Sequence, residues 1–517
     1  MDDVTAMSAP TSVIGKHTFE TLTTGMYSDP LDCLREYVQN SVDSLEESGR
    51  LTEGRIDFAI DATAKSVVIR DNGIGIPESA AAATLLDIGR SEKPERSSRS
   101  RGFRGIGRLG GLAYCERLIF RTQAAGERVT TRQDWDCRLL RQLLRPDHAR
   151  DLTMTELIHE VSSSASESAS PRDNGFFEVQ MQAVSEPLLL DVRRVKHHLA
   201  MVSPVAFDAS GFKFWQEIDR YLTRQASDYV SVNLLVNGEA VFKLYTDSPL
   251  LSRAPGRKKG NHHDSVKDID FITLTDTDDC PLAFAWMAKT DLKGLLDPDS
   301  GVAGIRLRAG NIGIGDGRAL VECFPKSDER FVPYLIGEIH VVAPELIPNA
   351  RRDGFEHGRV RDELFEACAR QIAVPYRKKI RDASANRSVQ RGVQEALSVR
   401  TDAEDAIGRG LTTEEEREAY KTRLSASQDS IRELGPGVQH VIEELNHTAE
   451  AIAEAPRMVD VELAGEYRKI DRDRFQGLFD ILHEEASDDD WARRTIKKMV
   501  AYLKKARECS TSPPPRQ

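Results

Sequence analysis

The chain lacks most of the features that assign a protein to a class on sight. Its 517 residues contain nothing near the ~18–20 consecutive apolar residues that a membrane span needs. The opening residues, MDDVTAMSAP, carry no apolar run of the kind a secretory leader uses. These two absences point to a cytoplasmic protein without a membrane partner. Cysteine is sparse and odd in number, seven in all with no C-x-x-C pair, which suits reduced thiols and excludes a disulfide scaffold. The paired histidines at 197–198 and 262–263 lack metal-ligand spacing, so no zinc site is expected. No G-x-x-x-x-G-K-[S/T] segment exists, and any phosphate binding must use another device. Basic residues do not predominate either: 71 Lys and Arg stand against 83 Asp and Glu, a net charge of −12. Such a balance argues against non-specific coating of nucleic acid.

What is present describes an ordinary globular protein, 40% hydrophobic and 30% charged, long enough for about three domains. Residues 31–47 space Leu31, Leu34, Val38, Val42 and Leu45 by three and four, the pattern of an amphipathic helix. RIDFAI (55–60) and KSVVIR (65–70) read as strands, and a further strand ends in LIFRT near residue 122. The Arg-, Ser- and Gly-rich stretch from Gly89 to Arg108 reads as a long loop, and Ser162–Ser170 as a flexible insertion. Asn237-Gly238 predicts a hairpin turn between Tyr229–Val236 and Ala240–Tyr245. Strands are expected at 270–274, 282–288, 304–308 and 335–342, with helices between them, as a second α/β domain. Beyond Glu363 the pattern is helical at 363–400, 413–455 and 465–506, broken at Gly435-Pro436-Gly437. The stripes Phe475, Leu478, Phe479, Leu482 and Ile496, Met499, Val500, Leu503 belong to helices packing on each other or on a second copy.

Three features in the first 111 residues carry chemistry. On the helix 31–47, Glu36, Asn40 and Asp43 share one face, and a carboxylate with an amide oxygen one turn away can orient a water and ligate a hard cation such as Mg²⁺. Asp71-Asn72-Gly73-Ile74-Gly75-Ile76 follows a strand directly. A carboxylate at a strand end, before glycines that bend the chain, suits an adenine amino group with close backbone approach. The third is Gly102-Phe103-Arg104-Gly105-Ile106-Gly107-Arg108-Leu109-Gly110-Gly111, whose glycines enter a helical segment and offer backbone N–H groups to an anion. Its Gly105-x-Gly107-x-x-Gly110 matches the dinucleotide fingerprint but follows an Arg/Ser-rich loop instead of a strand, so that reading is rejected.

In this order and spacing the three features resemble the GHKL ATPase superfamily: gyrase-type topoisomerases, MutL-type repair proteins, histidine kinases and the ninety-kilodalton heat-shock chaperones. The resemblance implies an N-terminal layered α/β sandwich, ATP and Mg²⁺ as ligands, and ATP hydrolysis. It implies Glu36 as general base, Asn40 as the Mg²⁺ ligand, Asp71 as the adenine contact, and Gly73 and Gly75 as the walls of the adenine pocket. Gly102, Phe103, Arg104, Gly105, Ile106 and Gly107 would line the phosphates, residues 89–104 would form a lid with Ser91 and Lys93 near the nucleotide, and Asp43 would belong to the same site.

The chain is most similar to the heat-shock chaperones, through Tyr27-Ser28, Leu34-Arg35-Glu36, Asn40 and Asp43, and again at 304–356, where Asn349-Ala350-Arg351-Arg352-Asp353 resembles a middle-domain loop. There the family places an arginine that reaches the ATP γ-phosphate; Arg352 takes that position, with Arg351 as its competitor. The Gly-Thr of the family appears here as Asn174-Gly175-Phe176-Phe177, and the chaperones' C-terminal dimerisation domain has no counterpart. The expected organisation is an ATPase domain over 1–205, a middle or transducer domain over 206–375, a helical region over 376–508 and a disordered tail over 509–517.

The expected activity is that of an ATP-gated clamp, a homodimer when ATP is bound. A chaperone-like machine acting on a protein partner is one reading. The alternative is a DNA-engaging clamp of the Microrchidia or MutL type, in the setting of a phage-defence or restriction system. It draws on Arg90, Lys93, Arg96, Arg99, Arg101, Arg104 and Arg108, and on the basic loop 257–263.

Overall fold

The computed structural model describes residues 14–23, 29–88, 107–145, 147–148, 150–252 and 262–511. The chain divides into two compact units, residues 1–380 and 381–517.

The first unit holds two sheets. The larger has eight strands: β1 (Arg55–Asp61), β2 (Ser66–Asp71), β3 (Arg117–Gln123), β4 (Val129–Asp136), β5 (Ser162–Ser168), β6 (Phe176–Gln182), β7 (Asn233–Val236) and β8 (Glu239–Ala240), in the order β5-β4-β3-β6-β2-β1-β7-β8. All neighbours pair antiparallel except β1 and β7, which run parallel. The alternation of β1 buries Ile56, Phe58 and Ile60. The same alternation on β2 buries Val67, Ile69 and then Asp71, so a carboxylate occupies an inward position where an apolar side chain belongs.

Against this sheet lie α1 (Lys16–Thr23), α2 (Asp32–Glu47), α3 (Glu78–Leu86), α4 (Cys137–Leu143), α5 (Met154–Val161) and α6 (Val192–Val202). The stripe of α2 packs Leu34, Val38, Val42 and Leu45 into the core, as its spacing predicts, and Leu31 precedes the helix.

The turn at Asn237-Gly238 has both residues at positive φ, 49° and 82°, which is what a two-residue hairpin between right-twisted strands requires. Asn237 adds a side-chain hydrogen bond to the Ile60 N–H at 2.7 Å and so ties the hairpin to β1. Residues 233–240 thereby join the N-terminal sheet although they lie beyond residue 205. Ser162–Ser168 is not an irregular insertion. It is the edge strand β5, paired along its length with β4 while its side chains stay mostly exposed. Backbone pairing and polar side-chain bonds such as Arg121 to Glu167 build it, which a hydropathy pattern cannot register.

After α7 (Trp215–Gln225) the second sheet has five strands, β9 (Val266–Thr275), β10 (Pro281–Thr290), β11 (Gly304–Ala309), β12 (Ile312–Ile314) and β13 (Ile336–Val341), in the order β12-β11-β13-β10-β9. The helices expected between these strands are replaced by short 3-10 turns at Pro298–Ser300, Val321–Cys323 and Glu329–Tyr334. Pro333, inside the last of them, removes an N–H donor that a longer helix needs.

The interior of this region is apolar, built on Phe207, Phe212, Ile218, Leu222 and Trp286, and one polar cluster is set into it. Glu338 is fully buried and accepts from Lys243 Nζ (2.7 and 2.9 Å), Tyr245 Oη (3.1 Å), Trp286 Nε1 (3.3 Å) and Arg308 Nε, with His340 Nε2 at 3.1 Å. Arg308 also donates to the carbonyls of Met201 (2.9 Å) and Asn311 (2.9 Å), which anchors the end of α6 to the sheet. Burial pushes the Glu338 carboxyl up, but Arg308 and Lys243 outweigh it and hold it well below the carboxylate range. After β13 the chain passes through residues 342–358 into α8 (Arg359–Cys368) and then α9 (Val374–Arg409), which crosses the division between the units.

The second unit is helical: the distal part of α9, then α10 (Glu414–Arg432), α11 (Gln439–Glu454), α12 (Met458–Glu462), α13 (Lys469–Glu484) and α14 (Asp489–Thr511). Ala403, Ala406, Leu424, Ile431, Leu445 and Ile452 form one core. Phe479, Ile496 and Val500 form another with Met458 and Val459, and the two predicted stripes meet there. Leu478 and Met499 stay exposed at the edge of that contact. The expected tail falls on α14 up to Thr511, and residues 512–517 lie outside the described residues.

Candidate functional site

Helix α2 supplies one wall of the site. Its polar residues interrupt an otherwise apolar surface, and several are buried: Arg35, Glu36, Gln39 and Ser41. Buried polar groups need partners; those of Arg35, Glu36 and Ser41 build the site, while the Gln39 amide has no hydrogen-bond partner among the described residues.

At one place α2 meets the end of β2. Ser41 Oγ donates to Asp71 Oδ2 at 3.0 Å and Ser44 Oγ to Oδ1 at 3.2 Å, while the Gly73 N–H donates to Oδ1 at 3.0 Å. Ser44 Oγ also accepts from the Ile74 N–H at 3.1 Å, so one hydroxyl fixes both the carboxylate and the loop after it. Burial pushes the Asp71 carboxyl up to about 6, against the pull of these donors.

The loop itself requires glycine. A β-carbon on Gly73 would lie 2.8 Å from the Ser44 backbone, and one on Gly75, which has φ 68°, would lie 2.1 Å from the Gln123 carbonyl oxygen. Thr122, fully buried on β3, completes the loop: its hydroxyl accepts from the Ile76 N–H at 2.7 Å and donates to the Phe176 carbonyl at 3.0 Å. A threonine therefore does fasten this loop, from β3 and not from the Asn174–Phe177 segment.

Earlier on α2, Glu36 meets two segments that are distant in sequence. A β-carbon on Gly107, at the start of the 3-10 helix Gly107–Ala113, would fall 2.2 Å from Glu36 Oε2. Arg352 Nε stands 2.7 Å from Glu36 Oε1, with both side chains about nine-tenths buried. Arg352 holds φ 55°, a sparsely populated conformation for a long side chain, and costs of this kind concentrate at functional sites. Arg351 is exposed. The same turn of α2 also bears Arg35, whose guanidinium reaches the carbonyls of Arg351 and Arg352.

The structure thus brings together Glu36, Gly107 and Arg352 at one point, and Asp71, Gly73 and Gly75 at another, with α2 joining the two. Asn40 and Asp43 sit half-exposed on α2 beyond Glu36. Ser91, Lys93, Gly102, Phe103, Arg104, Gly105 and Ile106 lie outside the described residues, as do Tyr27-Ser28 and 257–261 of the basic loop. Of the basic stretch 90–108, Arg108 is described: it donates to the Asp87 carbonyl, and burial draws its guanidinium down to about 10.

Sequence reasoning missed Arg35, Ser41, Ser44 and Thr122. The two serines carried a signal, because they bracket Val42-Asp43 at i, i+3 on the helix that bears Glu36. Thr122 had none, being inside a strand with no motif around it.

No group of three or more His, Cys, Asp or Glu among the described residues could hold a metal ion by itself. No helix among them is long and apolar enough to cross a membrane. The chain matches no curated protein. Residues 27–166, which contain α2, Asp71 and Gly107, match the family model described as Histidine kinase-, DNA gyrase B-, and HSP90-like ATPase. With the mixed α/β sandwich around the site, that match supports placing this part of the chain in the GHKL ATPase superfamily.

Proposed function

We propose that the protein is a Mg²⁺-dependent ATPase that works as an ATP-gated conformational clamp. In this reading Asp71 accepts the adenine amino group, and Gly73 and Gly75 let the backbone approach the ring. Gly107 and the segment 102–106 line the phosphates, with Ser91 and Lys93 near them and Asp43 beside the nucleotide. Glu36 takes the proton of the attacking water, and Arg352 contacts the γ-phosphate.

The observation that carries the reading is the meeting of Glu36 with Arg352 beside Gly107. Hydrolysis of a phosphoanhydride needs a base for water and a cation for the charge that develops on the transferred group. Here both stand where a glycine leaves room. A γ-phosphate competes with Glu36 for Arg352 and frees the carboxylate to act as a base, so the same contact tells ATP from ADP. The side-chain oxygen of Asn40 fits Mg²⁺, which takes few protein ligands and fills its shell from phosphates and water; bound there, the ion would offset phosphate charge.

The test separates binding from turnover. Glu36→Ala should bind ATP and hydrolyse almost none, while Asp71→Asn should not bind; normal turnover by Glu36→Ala overturns the assignment of the base.

For the clamp's target, the loop Asn349–Asp353 favours a chaperone-like machine that remodels a protein partner, closing as a homodimer on ATP. The seven Lys and Arg between Arg90 and Arg108 favour a DNA-engaging clamp as the second reading. A gel shift at varied salt, with and without a non-hydrolysable ATP analogue, decides between them. Binding to DNA that depends on the analogue selects the second.

A further inference from the structure

Arg35 precedes Glu36 on α2 and is 3% exposed despite its full charge. Its donors point at backbone: Nη2 to the Arg351 carbonyl at 3.2 Å and Nη1 to the Arg352 carbonyl at 3.5 Å. Asp32, one turn earlier, stands 3.5 Å from Nη2 and steadies the group. Behind Asp32, at 3.8 Å, lies His198 of α6; burial first, and then the charge of Arg35, draws that imidazole down to about 3 and leaves it neutral.

The loop that Arg35 grips is braced on its other side. The Gly315 N–H donates to the Arg352 carbonyl at 2.8 Å, the Asn349 N–H to the Gly354 carbonyl at 3.0 Å, and Asn349 Nδ2 to Asp353 Oδ1 at 2.7 Å. Two consecutive residues of α2 therefore hold one loop by different handles: Glu36 takes a side chain and Arg35 the main chain.

The difference matters because residues 351 and 352 are both arginine. A carboxylate alone cannot choose between two identical guanidinium groups; the side-chain bond from Asn349 to Asp353 fixes which residues form the turn, and Arg35, through two main-chain carbonyls, holds that turn against α2. We propose that Arg35 is a positioning residue that holds the backbone of the loop 349–353 against α2, so that Arg352 is presented to Glu36. The proposal rests on the roles of Glu36 and Arg352 given above.

The test uses the full-length chain with Arg35→Met, Arg35→Lys, Arg352→Ala and the double variant Arg35→Met/Arg352→Ala. Arg35→Met should lower kcat for ATP about tenfold or more while KM stays within about twofold. Arg35→Lys should recover part of the loss, since an ammonium supplies a donor but not the fork. The double variant should match Arg352→Ala within about twofold, because a residue acting through Arg352 has nothing left to position. Losses that multiply in the double variant overturn the proposal.

A second measurement does not depend on turnover. In the nucleotide-free chain, Arg35→Met should speed hydrogen exchange at the Arg352 and Gly315 amides and leave the β1–β2 ladder protected. Exchange that rises throughout β1–β2 overturns the proposal by making Arg35 a residue of the general fold. If the unsubstituted chain does not hydrolyse ATP, the ATPase reading fails, and the exchange result alone decides whether Arg35 holds the loop.

Discussion

Replacing Gly107 by alanine sets a methyl group against the carboxylate proposed as the base. The added carbon falls 2.2 Å from Glu36 Oε2 and 3.0 Å from its Cδ, where ordinary contact begins at 3.4 Å, so the carboxylate must retreat by about 1 Å. The obstacle is the end of a flexible side chain and not backbone, so the fold can yield through a rotamer change of about 0.5–1.5 kcal/mol. Alanine in place of glycine also restricts the unfolded chain, which offsets up to about 1 kcal/mol of that cost.

The site cannot yield in the same way, because Glu36 is also held by Arg352 at 2.7 Å, and moving one oxygen breaks that geometry. A displacement of about 1 Å at a reacting group costs about a hundredfold in rate, or about 2.7 kcal/mol of barrier. Gly107→Ala should therefore lower kcat for ATP about a hundredfold, with the melting temperature shifted by no more than about 4 °C. Continuous phosphate release and thermal melting measure the two effects. Turnover at the unsubstituted rate would refute the reasoning, because a base displaced by that distance cannot remain competent.

Two further expectations follow from buried carboxylates. Burial pushes Asp71 to about 6 in the folded chain against an ordinary 3.8, so as pH falls through 6 it takes up a proton, loses its charge and turns one acceptor oxygen into a donor; affinity for ATP, read by calorimetry, should be level from pH 7 to 8 and weaken by about tenfold per pH unit below about 6. The sign for stability is the reverse: a raised carboxyl pKa favours the fold below about 3.8, and that contribution disappears as pH rises through about 6. In the helical unit, Glu416 is fully buried and accepts from the Thr412 N–H at 2.7 Å, Thr412 Oγ1 at 2.5 Å and Arg409 Nη2 at 2.6 Å. Glu416→Ala leaves those donors unmatched and should cost about 3 kcal/mol in a urea melt followed by helical circular dichroism, with Glu416→Gln costing less; a Glu416→Gln variant as stable as the unsubstituted chain would show that the charge contributes nothing.

Much of the frame was legible because it is local. The three-and-four spacing located α2, alternation located β1 and β2, and Asn237-Gly238 announced its hairpin. The contacts between these pieces were not legible. The parallel pairing of β1 with β7 joins segments far apart in sequence, and nothing in either strand names the other. β5 has no apolar period because both its faces are polar, and its existence depends on β4. In the site, Asp71 was conspicuous as a carboxylate at a strand end, and the serines that orient it carried only their i, i+3 spacing on α2, which does not name Asp71 as their partner. Arg351 and Arg352 were indistinguishable in one dimension; the backbone around them separates the pair, and backbone leaves no trace in residue type.

The Glu338 cluster bears on how such a chain changes over time. Glu338 serves donors from Lys243, Tyr245, Trp286 and Arg308 at once. Loss of the carboxylate strands the buried Arg308 guanidinium, while Lys243, which burial already draws down to about 7, can shed its proton; the cost is about 3–5 kcal/mol in a molecule whose whole margin is about 5–15 kcal/mol. An exchange of Glu338 alone takes up a large share of that margin, and a second change at a distant position in the sequence is needed to restore it. Residues 243, 308 and 338 should therefore drift together or not at all. In lineages whose surfaces have diverged beyond recognition, that linked triplet would outlast the rest as a signature of common descent.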